Sequence, residues 1–314
     1  MRAVLYDSGA EGGLVERGDV PKPEVGPGQV LVRVRAAAVN PVDYKLPGMP
    51  IVGRSVQGRP VGLDVAGIVE AVAPDVSVLK VGDEVFGNCS RGTIAEFACA
   101  DADKVAKKPA KLSFEEAAAL PTVALTSLQS LVKGGVGEGS RVLVLGGSGG
   151  CGAMGVQIAK AMGAHVTSNC SARNVDAVKN HGADVVVDYS SQEIPAEPKF
   201  DCIYDTVTSP DSGDTNYQPL IQTHLKTGGE YVCINGFMLD WVRAFMPRWL
   251  CSSSMVMANH SKSDLERIAK WVDEGKIRPQ VQEVLPFSKD GVLKSFEALK
   301  GRRATGKLVF SIGQ

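Results

Sequence analysis

The stretch VLVLGGSGGCGAMG, residues 142–155, carries the strongest chemical signal in the chain. Gly147, Gly149 and Gly152 satisfy G-x-G-x-x-G, and Gly146, Gly149 and Gly152 satisfy G-x-x-G-x-x-G. An apolar run enters this loop and a helical pattern leaves it, which is the context a dinucleotide loop requires. Glycines there permit a tight turn and let the backbone of Gly147, Ser148, Gly149, Gly150, Cys151 and Gly152 approach a pyrophosphate. The start of the following helix favours the anion through its unpaired N–H donors and dipole. Similar spacing occurs in purely structural turns, so the flanking strand and helix decide for dinucleotide binding.

The end of the next strand distinguishes the cofactors. An NAD site places an acid roughly 20 residues past the glycines, on the ribose hydroxyls. Here the segment reads NCSARN, with Cys170 and Ser171 at that point and Arg173 close behind. A hydroxyl plus a guanidinium suits a 2′-phosphate, which makes NADPH the expected cofactor. Ser171 and Arg173 can also cap the following helix, and the two roles are compatible. Tyr189, ending the third strand of the series, packs either beside the same adenosine end or in the core.

These residues need a scaffold. Between 140 and 235, strand-like runs alternate with helical ones. The strands are RVLVLG (141–146), HVTSNC (165–170), DVVVDY (184–189), DCIYDTV (201–207) and EYVCIN (230–235). The helical segments are CGAMGVQIAKAMG (151–163), ARNVDAVKNHG (172–182) and PLIQTHLKTGG (219–229). That alternation implies right-handed βαβ units and a parallel sheet. The first 110 residues instead show short strands between turn signals, among them QVLVRVRAAAV (29–39), DVAGIVEAVA (64–73), GDEVFG (82–87) and TIAEFACA (93–100). They imply a compact, barrel-like β unit. Ser113 and Glu116 form a capping-box pattern before one helix, and TVALTSLQSLV reads as the next. After 260 the pattern is helix (263–275), helix (290–301) and strand (306–312). That strand has no partner in the alternating series and is expected to return to the first domain.

A chain of 314 residues is long for one hydrophobic core, so two domains are expected. Lys+Arg number 34 against Asp+Glu 35, with no basic tract, which argues against nucleic acid as a partner. No apolar run approaches the ~20 residues of a membrane span. MRAVLYDSG begins with a strand-like run rather than a leader, so a cytoplasmic location is expected. The seven cysteines are scattered, with no C-x-x-C pair, and read as reduced thiols rather than a zinc knot.

Several segments spread over almost the whole chain carry a family resemblance: VLVRVRAAAVNPVDYK, GLDVAGIVEAV, VGDEVFG, EEAAALPTVALTSLQSL, GGSGGCG and ATGKLVF. Together they resemble the medium-chain dehydrogenase/reductase superfamily, in its zinc-free quinone oxidoreductase branch of zeta-crystallin-like and enone oxidoreductase proteins. The resemblance implies an α/β fold, in which a Rossmann-type doubly wound parallel sheet (121–259) is inserted into a β-rich GroES-like catalytic domain (1–120 and 260–314). It also implies a homodimer. Zinc-dependent members have a cysteine where this chain has Asn40, and G-H-E where it has Gly62-Leu63-Asp64. The third ligand would fall in PTVALT, which has no Cys, Asp, Glu or His. Neither catalytic nor structural zinc is therefore expected. Without such a Lewis acid the substrate must itself be electron-poor. A quinone is the first expectation and an enone or alkenal the second; an inactive NADPH-binding or crystallin-like scaffold is the alternative of another class.

The resemblance further implies site residues. Lys45, then Asn40, then Tyr44, all in NPVDYK, are the candidates for stabilising or protonating the developing oxyanion. Strand-like alternation would turn only one of Tyr44 and Lys45 toward the substrate. Thr126, Asn235, Gly236, Phe237 and Lys307 are further cofactor candidates. Asp64 is expected to be a buried carboxylate needing a cationic partner, and Lys307 is the candidate. FMLDWVRAFMPRW (237–249) reads as a substrate lid, a dimer surface or core.

Overall fold

The computed structural model describes residues 1–209, 215–235 and 253–313. The chain forms two compact units, one of residues 1–122, 260–273 and 279–314, the other of 123–259 and 274–278. The short return at 274–278 has no signal in the sequence. It is held by Gln157, whose side-chain amide donates to the Arg278 carbonyl (3.1 Å) and accepts from the Arg278 N–H (2.8 Å).

In the first unit, β1 (Ala3–Tyr6) and β2 (Leu14–Arg17) form an antiparallel hairpin. β3 (Gln29–Ala38), β4 (Asp64–Val72), β5 (Glu84–Asn88), β6 (Phe97–Asp101) and β7 (Val105–Lys107) build the main sheet. Strand β3 alternates at its start: Val30, Val32 and Val34 enter the core while Arg33 faces out. Its end, Ala36–Ala38, is small and wholly buried, leaving room for neighbours on both faces. Ser113 caps the helix Phe114–Ala118, accepting from the Glu116 N–H at 3.1 Å while Glu116 accepts from the Ser113 N–H at 2.9 Å.

The second unit contains β8 (Arg141–Leu145), β9 (His165–Cys170), β10 (Val185–Asp188), β11 (Phe200–Asp205), β12 (Leu225–Cys233) and β13 (Ser253–Met255). Their order is β10-β9-β8-β11-β12-β13 and every pair is parallel. The direction of winding reverses between β8 and β11. In doubly wound sheets ligands bind at such a switch point, beyond the carboxyl ends of the strands.

The chain then returns to the first sheet through β14 (Val281–Pro286) and β15 (Lys307–Ser311). Strand β15 pairs antiparallel with β3, Phe310 opposite Ala37, so the unpartnered strand at the end of the sequence joins the first unit as expected. Strand β14, parallel to β15, was not expected.

Two expectations fail. The helix expected over 219–229 is only Leu220–Thr223, and β12 begins at Leu225. Leu225 is buried and pairs with Phe200; the register then jumps to Cys202–Glu230, and Gly228, at φ +80°, helps absorb the extra residues. NPVDYK is no strand continuation: Pro41–Lys45 is a short helix. The segment 237–249 lies outside the described residues. Among the described residues no helix is long and apolar enough to cross a membrane.

Candidate active site

The glycine loop joins β8 to the helix Gly150–Ala161, at the switch point of the sheet. Gly146 has φ +83°, a region other residues enter only with strain. A Cβ on Gly152 would lie 2.0 Å from the Gly146 carbonyl oxygen. Both glycines are thus required for the loop to fold back onto its own helix. The first N–H groups of that helix have no intrahelical acceptor and are available to an anion. The loop therefore fits a pyrophosphate. Asn169, at the end of β9, fixes it further: its Oδ1 accepts from the Gly146 N–H at 2.8 Å and its carbonyl from the Gly147 N–H at 3.0 Å.

Ser171, Arg173 and Tyr189 gather next to that loop. Ser171 follows β9 directly, and Arg173 is exposed in the turn Ala172–Asn174. The Tyr189 N–H donates to the Cys170 carbonyl at 3.1 Å. Tyr189 is 58% exposed, which removes the core-packing alternative for it. Thr126 is buried on the helix Pro121–Lys133, and Asn235 lies two residues past β12. Gly236 and Phe237 lie outside the described residues.

Sequence reasoning missed Asp205, at the carboxyl end of β11. Its carboxylate accepts from the N–H groups of Val207 (2.8 Å) and Thr208 (2.9 Å), from the Thr208 hydroxyl (2.5 Å) and from the Tyr231 hydroxyl. It shapes the loop that leaves the switch point. The signal was present in DTVT, an Asp followed by hydroxyl residues in a turn.

The first unit holds a second cluster, around Asp64. This carboxylate is fully buried. Oδ1 accepts from the Asn88 amide (2.8 Å), the Thr122 N–H (3.0 Å) and the Thr122 hydroxyl (2.6 Å). Oδ2 accepts from the Asn40 amide (2.9 Å) and the Lys307 ammonium (3.0 Å). Lys307 also donates to the Asn40 Oδ1 (2.5 Å) and the Val39 carbonyl (2.9 Å). Lys307 is therefore the partner of Asp64, as expected. Its three hydrogens are all engaged in a buried position, which corrects its candidacy as a cofactor contact. Asn40 is corrected likewise: both ends of its amide are engaged in this cluster, so it holds the site rather than facing a substrate. Asn88 and Thr122 were missed, because only the fold brings them to Asp64.

The helix Pro41–Lys45 springs from Asn40. The Asp43 carboxylate accepts the Asn40 N–H at 2.7 Å, and the Tyr6 hydroxyl donates to the Asp43 carbonyl at 2.9 Å. Burial pushes the Asp43 carboxyl up to about 7, with the nearby Asp64 charge adding to the rise, while the Asn40 N–H and Lys307 act against it. Adjacent residues of a helix are turned by about 100°, so Tyr44 and Lys45 do not alternate. The Tyr44 ring packs edge-on to Phe296, with centroids 6.1 Å apart, and sits under the Lys300 ammonium at 5.7 Å. That contact gives the Tyr44 ring a packing role beside its candidacy as a proton donor. Lys45, half-buried at the end of the helix, keeps its candidacy.

Zinc does not fit these residues. Leu63 offers no donor atom, and Asn40 and Asp64 already satisfy one another and an ammonium. Among the described residues no group of three His, Cys, Asp or Glu side chains is placed to hold a metal ion.

Residues 26–110 match the family model for the alcohol dehydrogenase GroES-like domain, and 181–310 the one described as zinc-binding dehydrogenase. The trans-enoyl reductase pgmF of Aspergillus terreus is 37% identical over 317 residues, covering 92% of this chain and 88% of that protein. The chain belongs to the medium-chain dehydrogenase/reductase superfamily, in its quinone/enone oxidoreductase branch. The 2-methylene-furan-3-one reductase of Solanum lycopersicum is 34% identical over 337 residues, covering 98% of this chain and 78% of that protein. The quinone oxidoreductase structure from Coxiella burnetii superimposes with a TM-score of 0.85 at 29% identity, covering 100% of this chain and 99% of that one. A GroES-like domain and a parallel sheet in one chain are the fold of these oxidoreductases.

Two outcomes follow from the buried cluster. Lys307→Met leaves the Asp64 carboxylate buried without its cation and should destabilise the protein by about 3–5 kcal/mol in denaturant unfolding. Adding Asp64→Asn should recover part of that loss. Asp43 sets a pH slope. The folded chain keeps its proton to about pH 7, whereas the unfolded chain releases it near 4. Stability from this group is therefore greatest at low pH, falls between about 4 and 7, and is flat above. Asp43→Asn removes the slope. Melting curves should show its stability relative to the parent rising from pH 4.5 to 7.5; a constant difference would exclude a raised Asp43.

Proposed function

We propose that the protein is an NADPH-dependent, zinc-independent reductase of conjugated carbonyl compounds, saturating the carbon–carbon double bond of an enone, alkenal or enoyl substrate. The observation that carries this reading is Asp64, a buried carboxylate bonded to an ammonium where superfamily members that use zinc have the neighbour of a metal ligand. With no Lewis acid at hand, the acceptor has to be electron-poor in its own right. We put conjugated double bonds ahead of quinones, the reverse of the order expected from the sequence, because the two curated relatives above are named for enoyl and methylene-furanone reduction. The likeness to a quinone oxidoreductase structure keeps quinones as the second acceptor class.

The chain's own residues have separate tasks. The Gly146–Gly152 loop and the helix after it bind the pyrophosphate. Ser171 and Arg173 bind the 2′-phosphate, with Tyr189 beside the adenosine. Bound there, NADPH supplies the hydride. Lys45 places an ammonium near the carbonyl oxygen that gains negative charge, lowering the barrier electrostatically. Asp43 and Asn40 fix the helix that carries Lys45, and solvent returns the final proton to carbon.

Steady-state assays with an alkenal and with a benzoquinone, each with NADPH and with NADH, test this. The expected result is NADPH oxidation with both acceptors and a higher kcat/KM for the alkenal. Lys45→Met should lower kcat by roughly 10²–10³-fold, the scale of a lost oxyanion donor. No NADPH oxidation with either acceptor would refute the assignment.

A further inference from the structure

Between the glycine loop and the turn after β9 stands Asn174, a residue that no role above uses. Its side-chain amide donates to the Ser148 hydroxyl oxygen at 3.1 Å and to the Ser171 hydroxyl oxygen at 3.2 Å. Its N–H donates to the Ser171 carbonyl at 2.9 Å, which closes the turn and brings the side chain back over it. An amide nitrogen has two hydrogens and is only a donor. Both hydrogens are used, one on each serine. Each serine oxygen therefore acts as acceptor, and each hydroxyl hydrogen is left to point elsewhere. Among the described residues neither hydroxyl donates to a protein atom, and the Arg173 guanidinium makes no ion pair. The turn thus presents two O–H donors and a guanidinium. The carboxylate of Asp188, at the end of β10, accepts from the Ser190 and Ser191 hydroxyls and from the Ala172 N–H, so its charge is met by its own donors.

We propose that Asn174 is a positioning residue for cofactor choice: it holds Ser148 and Ser171 as acceptors so that both hydroxyls donate to the 2′-phosphate of NADPH. This rests on the NADPH reading above. It adds Ser148, a residue of the glycine loop, to the phosphate's donors, and it assigns the selectivity to a residue that touches no phosphate. Asn174→Ala frees both serine hydroxyls to rotate. Asn174→Asp goes further. Its carboxylate accepts from the two hydroxyls, turns their hydrogens inward, and adds a negative charge beside the phosphate.

The test is the ratio of NADP⁺ to NAD⁺ affinity, measured by calorimetry on the full chain, which requires no knowledge of the substrate. The unaltered protein should bind NADP⁺ more tightly. A freed hydroxyl still reaches the phosphate from one of about three staggered rotamers, so the ratio should fall by up to roughly tenfold in Asn174→Ala. It should fall further in Asn174→Asp, which keeps the size of the side chain. A role confined to folding would weaken both cofactors alike and leave the ratio unchanged. An unchanged ratio in both variants, with NADP⁺ still preferred by the parent, overturns the role of Asn174 alone. Equal affinity of the parent for NADP⁺ and NAD⁺ overturns the NADPH reading and this proposal with it.

Discussion

A buried carboxylate is costly unless it is fully bonded, and Asp64 is bonded by five donors, one of them an ammonium. Those donors come from the ends of β3, β5 and β15 and from Thr122 at the start of a helix. Four segments distant in sequence must therefore converge for one charge to be tolerated. Lys307 lies 243 residues from Asp64, and its strand is the one that closes the first unit after the second has been made. The pair thus ties the last strand to the first sheet. It also fixes Asn40, and through Asn40 the helix that ends at Lys45.

The same cluster bears on chemistry. Leucine at 63 and an internally satisfied Asp64 leave no donor set for a cation of zinc's preferences. In the proposed reaction, the acceptor's own electronics and the Lys45 ammonium take the part a metal plays in zinc-using members of the superfamily. The second unit has a candidate site of its own. A loop forced by Gly146 and Gly152 opens at the switch point, and the turn after β9 offers donors where an NAD site would offer an acid.

The parts that were legible in the sequence are those governed by local rules. The glycine loop, the alternation behind the parallel sheet and the Ser113–Glu116 cap each declare themselves within a few residues. Lys307 and Asp64 were also paired correctly, because a lone carboxylate in an apolar strand demands a cation and the last strand lacked a sheet partner. The misses have physical causes too. Pro41–Lys45 is too short to show a helical period, although Asn-Pro-Val-Asp is an N-terminal capping pattern with proline at the first position. The helix expected over 219–229 yields to β12 because Leu225 is needed in the core beside Phe200. Asn88 and Thr122 have no local signal. They become visible as ligands of Asp64 only once β4, β5 and the helix at 121 lie side by side, and Tyr44 becomes a packing residue only when Phe296 is placed against it.

An ammonium–carboxylate cluster stands where zinc-using members of the superfamily have a metal site, and the proposed reduction needs no metal. The most direct measurement is the rate of alkenal reduction with NADPH before and after exhaustive dialysis against a chelator, with the metal content of both samples determined. The expected result is an unchanged rate in protein free of zinc. A rate lost on dialysis and restored by added zinc would contradict it.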